Sequence, residues 1–177
     1  WDYRWDRALV CRSLDTLCRA AEPHEMRVRI DVLQEPAVPL GTHSRELIAL
    51  QAFTPLPVEL YETGVAVGLA GDLTRISPLV KTAEFAARRP ATSMQSDGSS
   101  VYEFLLTSPD GRILEGTGTN FWAVRDGVLY TAGEGVLEGI TRKVLLRLAA
   151  EMGIPLRLEA IRISEISQLD EAALSGS

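Results

Sequence analysis

Cysteine and histidine are scarce in this chain, with two of each in 177 residues. Cys11 and Cys18 fall seven positions apart on one helical segment. Two helical turns separate such side chains by about 10 Å, which excludes a local disulfide. They read as buried free thiols, as in a reducing compartment. His24 and His43 sit in polar contexts far from any Cys/His/Asp cluster with ligand spacing, so no metal centre is expected and neither receives a role. Runs of basic residues are also missing. The 18 lysines and arginines are scattered among 24 acidic residues and the net charge is −6, which excludes a nucleic-acid footprint. No apolar stretch approaches the roughly 20 residues of a membrane span. The expected location is cytoplasmic, with neither nucleic acid nor membrane as a partner.

What the chain does have is periodicity. From Arg4 to about Ala21, apolar residues at Leu9, Val10, Leu14, Leu17, Cys18 and Ala21 recur at helical intervals, and Pro23 ends the run. Arg27 to Val32 alternates polar and apolar, and Val58–Leu60 and Val65–Leu69 are further strand candidates, which predicts a small sheet with one covered face. Asp72 to Pro78 reads as a linker and Ala91 to Ser100 as a loop. Thr82 to Arg89 is rich in helix formers, with Phe85 its one large apolar side chain. Two hairpins follow, Tyr102–Thr107 with Arg112–Glu115 and Phe121–Val124 with Val128–Tyr130, the second turning on Asp126-Gly127. Val144, Leu145, Leu148, Ala149 and Met152 form a helical stripe closed by Gly153, before a strand from Leu156 to Ala160.

Three features carry chemistry. Glu115 ends a strand beside Gly116 and Gly118, so the backbone after it can approach a ligand closely. Gly139-Ile140-Thr141-Arg142 opens a helix, where backbone N–H groups and the helix dipole favour an anion; the plainer alternative makes Thr141 an N-cap. Lys81, thirty-four positions before Glu115, opens the Thr82–Arg89 segment. An amine, an acid and a phosphate cup are what a pyridoxal phosphate site requires.

These segments, in this order, resemble the class IV family of pyridoxal-phosphate aminotransferases, which includes branched-chain and D-amino acid aminotransferases and aminodeoxychorismate lyases. The likeness is densest in Gly111–Trp122, Asp126–Tyr130 and Leu137–Arg142; Lys81-Thr82 and Leu174–Ser177 extend it. The resemblance implies an α+β chain of fold type IV. Residues 1–72 would be the remnant of a small N-terminal α/β domain, 73–78 a linker, and 79–177 a larger cofactor-binding domain of antiparallel strands and helices, with truncation at both ends. It implies pyridoxal 5'-phosphate as cofactor, with Lys81 forming the internal Schiff base and moving the substrate α-proton. Glu115 would face the pyridine nitrogen and Leu137 pack on the ring. Ile140 and Thr141 would hold the phosphate, and Ser177 add a hydroxyl where the family has threonine. The implied reaction is transamination between an α-amino acid, of branched-chain type, and a 2-oxo acid, in a homodimer. The alternatives are aminodeoxychorismate lyase and a non-catalytic remnant of the fold. Two departures stand out. Glu84 occupies a position where many relatives carry asparagine, and the family's N-terminal phosphate-binding arginine is not found.

Overall fold

The computed structural model describes residues 3–4, 6–21, 25–75, 79–89 and 101–176. Two compact units divide between Glu62 and Thr63. In the first, α1 (Arg7–Ala20) begins at Asp6, whose carboxylate accepts from the Leu9 N–H at 2.9 Å and satisfies a donor of the first turn. The helix ends at Ala20; Pro23, expected to stop it, lies outside the described residues. Only Val10 is buried, and both cysteines are free and exposed. The expectation of buried thiols is corrected here: within this unit the apolar stripe has little to pack against.

Strands β1 (Met26–Val32) and β2 (Glu46–Ala52) pair antiparallel in unbroken register, Met26 opposite Ala52 and Val32 opposite Glu46. β2 was not expected from the sequence. Tyr3 donates to Glu46, and the Arg45 guanidinium lies 5.2 Å from the Tyr3 ring centre. Val58–Leu60, expected as a strand, instead leads into the short helix α2 (Glu59–Thr63), where Glu59 and Glu62 suit the positive helix start.

The second unit is built on seven strands. β3 (Val67–Leu69) pairs parallel with β4 (Glu103–Thr107), and β4 pairs antiparallel with β5 (Ile113–Gly116). β6 (Asn120–Arg125) pairs antiparallel with β5, with β7 (Val128–Tyr130) and with β9 (Glu171–Ser175), while β7 and β8 (Leu156–Arg157) run parallel. The sheet is therefore mixed: both expected hairpins are antiparallel, the β3–β4 and β7–β8 pairs are parallel, and β9 was not foreseen. Because β3 is hydrogen-bonded into this sheet, the compact division falls ahead of the linker expected at 73–78; residues 76–78 of that linker and the loop expected at 91–100 lie outside the described residues.

Both hairpins turn at a glycine with positive φ, Gly111 at 78° and Gly127. Asp126 and Gly127 take φ of 52° and 70°, the paired positive angles of a tight hairpin turn. Leu105, Ile113, Phe121, Ala123, Tyr130 and Ile161 form the main core. Helices α3 (Ala83–Arg88) and α4 (Ile140–Glu151) complete the unit. Thr82 caps α3 by accepting from the Phe85 N–H at 3.3 Å, and Phe85 packs with Leu73 and Leu106.

Candidate active site

Glu115 is 1% exposed on β5, opposite Leu106 of β4. An isolated carboxylate there would be expelled from the fold by its desolvation cost. Three donors hold it: Arg75 Nε at 2.8 Å from Oε1, and the Leu137 N–H at 2.9 Å and Asn120 Nδ2 at 3.3 Å from Oε2. Burial pushes its pKa above the ordinary carboxylate range, while the Leu137 N–H and the Arg75 guanidinium pull it back. Arg75 is itself buried, and its guanidinium stacks 3.9 Å from the Phe85 ring centre. One arginine thus ties the strand that carries Glu115 to the helix that follows Lys81.

Beyond Glu115 the backbone turns through Gly116, Thr117, Gly118 and Thr119. A Cβ on Gly116 would stand 2.2 Å from Thr119 Oγ1 and 2.8 Å from Glu103 Cγ, so only glycine fits. On the far side of Glu115, Asn120 Nδ2 also donates to the Leu137 carbonyl at 2.9 Å. Its Oδ1 lies 2.6 Å from where a Gly139 Cβ would be.

Gly139 is the N-cap of α4, and no side chain caps that helix. The expectation of Thr141 as N-cap is corrected: its hydroxyl donates to the Gly176 carbonyl at 3.2 Å. The first turn therefore keeps the exposed N–H character that attracts anions. Arg142, buried in the same turn, donates from Nη2 to the Ala132 carbonyl at 2.7 Å, and its Nε has no hydrogen-bond partner among the described residues. Burial pushes its pKa below the ordinary arginine range, against the pull of Glu138 and Glu115.

Lys81, Glu115, Leu137, Ile140 and Thr141 all line one cleft of about 170 Å³. Lys81 is exposed, Leu137 partly buried and Ile140 78% exposed. Ser177 lies outside the described residues; Ser175 and Gly176 before it line the same cleft. No His/Cys/Asp/Glu cluster able to hold a metal occurs among the described residues.

The model of the family described as amino-transferase class IV matches residues 2–177. The chain belongs to this family. The branched-chain-amino-acid aminotransferase of Pseudomonas aeruginosa is 40% identical over 76 residues, 42% of this chain and 25% of that protein. The crystal structure of the branched-chain amino acid aminotransferase from Thermobaculum terrenum, in its PLP form, matches with a TM-score of 0.71 and 25% identity over 94% of this chain and 58% of that one. The 4-amino-4-deoxychorismate lyase from Pseudomonas aeruginosa matches with a TM-score of 0.71 and 21% identity over 98% of this chain and 67% of that one, a likeness of fold alone. The curated relatives compared are matched over 25% to 47% of their length.

Within this class IV fold, two cleft-lining residues, Arg75 and Asn120, were not expected from the sequence, nor was Glu103, which lies behind the Thr117–Thr119 turn. Arg75 meets Glu115 across 40 positions, and Glu103 meets Thr117 and Thr119 across 14 and 16. Asn120 carried a local signal, since it follows the glycine turn on the same strand pair as Glu115.

Proposed function

We propose that the protein carrying this chain transfers an amino group from an α-amino acid, of branched-chain type, to a 2-oxo acid with pyridoxal 5'-phosphate as cofactor. The observation that supports this most is the grouping of three unlike features around one cleft: the exposed amine Lys81, the buried carboxylate Glu115 and a helix start with no side-chain cap. The family match and the branched-chain relatives support the same reading.

The residues fit the cofactor. A phosphate suits the first turn of α4, where Ile140 and Thr141 offer backbone N–H groups and Thr141 a hydroxyl; Ser177 belongs to the same proposal. Leu137, which lines the cleft, would pack on the ring. Glu115, held by Arg75, Asn120 and the Leu137 N–H, would keep a proton at the ring nitrogen. When bound, pyridoxal phosphate supplies the electron sink that makes a substrate α-proton removable. Lys81, which lines the cleft from the segment just before α3, would take that proton and return it.

The test is covalent trapping. Pyridoxal phosphate followed by borohydride is expected to modify Lys81 and to leave the Lys81→Ala variant unlabelled; no adduct at Lys81 in the parent sinks the enzymatic reading and leaves the non-catalytic remnant. Supplied with aminodeoxychorismate, the protein is expected to release no 4-aminobenzoate, whereas glutamate forms from 2-oxoglutarate and a branched-chain amino acid. The same reading carries a homodimer with the site near the subunit boundary, a cytoplasmic location, and a cofactor-binding domain over 79–177. Sedimentation of the intact protein checks the dimer.

A further inference from the structure

Glu103 is the second deeply committed carboxylate of the large sheet, and the transamination chemistry makes no use of it. It opens β4, is 8% exposed, and does not line the cleft. Its described partners are neutral. Oε1 accepts from the Phe104 N–H at 2.8 Å, the Thr117 N–H at 3.2 Å and the Thr117 hydroxyl at 2.7 Å. Oε2 accepts from the Gly118 N–H at 3.0 Å and the Thr119 hydroxyl at 3.1 Å.

Successive backbone N–H groups that converge with hydroxyls make the kind of concavity in which loops bind anions. Here the chain fills that concavity with its own side chain. The fit is close, since a Gly116 Cβ would meet Glu103 Cγ at 2.8 Å. The other face of the same turn, at Thr117, Gly118 and Thr119, borders the cleft with Lys81 and Glu115.

We propose that Glu103 is a positioning residue: its carboxylate is an internal anion filling the nest of the Thr117–Thr119 turn, and it holds that turn in the shape against which the amino-acid substrate seats. The Thr117 N–H is shared between the Phe104 carbonyl at 2.9 Å and Glu103, and the Gly118 N–H is committed to Glu103, so the turn presents shape to the substrate and leaves recognition of its carboxylate to other donors. The identity of the substrate rests on the aminotransferase reading; the filled nest does not.

The test uses the intact holoenzyme. Glu103→Gln keeps the volume but sets an amide N–H₂ against donors. It is expected to raise KM for the amino acid about tenfold and to change kcat less than about threefold, whereas a partial loss of folding would lower kcat and leave KM unmoved. Glu103→Ala opens the nest to a small carboxylate. Acetate is expected to raise the melting temperature of that variant above its value in chloride at equal ionic strength, and to lower its KM toward the parent value. The parent protein should respond to neither salt specifically. An unchanged KM in Glu103→Gln, or equal effects of acetate and chloride on the melting of Glu103→Ala, overturns the proposal. If the parent gives no Lys81 adduct, the substrate reading falls, and the acetate-specific melting shift still decides the nest.

Discussion

In the two-stranded sheet, β1 alternates Arg27, Val28, Arg29, Ile30 as cleanly as any strand of the chain, yet Val28 and Ile30 are 44% and 37% exposed. In the seven-stranded sheet, β6 reads Asn120-Phe121-Trp122-Ala123-Val124-Arg125 with no alternation, and its first four residues are buried. Alternation announces a strand with one apolar face, but a second layer must exist before that face is covered. The buried polar groups follow the same division. Glu103, Glu115, Asn120, Thr131 and Arg142 all lie in the larger unit, where the fold holds them with specific partners. A surrounding structure rigid enough to keep an ionised side chain out of water is also one that can aim it.

That contrast can be broken by experiment, beginning with the largest effect. Glu115→Gln in the larger sheet is expected to lower turnover on the order of 100-fold, because it removes a preorganised charge from the reacting group. Loss of less than a few-fold in a steady-state assay would mean that the buried carboxylate serves the fold alone. Ile113→Ala, at a residue 1% exposed in the main core, should cost about 2–5 kcal/mol in urea unfolding.

Arg75→Met probes the electrostatics between these extremes. Burial already raises the pKa of Glu115, so loss of the guanidinium raises it further. The folded state then binds the proton more tightly than the unfolded state. Any stability gained from that protonation is present below the unfolded pKa and lost as pH rises through the folded one. On the proposed reading the ionised form is the active one, so the acid limb of kcat/KM should move to higher pH in Arg75→Met; an unmoved limb would separate Arg75 from the charge state of Glu115. The smallest effect belongs to the two-stranded sheet. Ile30→Ala is expected to cost less than about 1 kcal/mol, and a loss equal to that of Ile113→Ala would erase the contrast between the sheets.

What could be read in advance follows the range of the interactions. The Asp126-Gly127 turn, the Thr82–Arg89 helix and the strands around Glu115 depend on neighbouring residues, and they stand close to where the residues put them. Lys81, Glu115, Leu137, Ile140 and Thr141 came from order along the chain and a family resemblance, and the fold gathers them at one cleft. Arg75 and Glu103 were invisible because a lone arginine in a presumed linker and an acid at a strand start gain meaning only from partners on other elements. The cysteines failed in the opposite direction: their spacing located a helix but carried no information about its cover.

Asn120 has a further consequence. Its amide donates to both Glu115 and the Leu137 carbonyl, and its oxygen stands against the only kind of residue that fits at Gly139. One planar side chain therefore works as a caliper between the carboxylate end of the cleft and its helix end. A change of side-chain length at Asn120 would therefore be felt at Glu115 and at the start of α4 together.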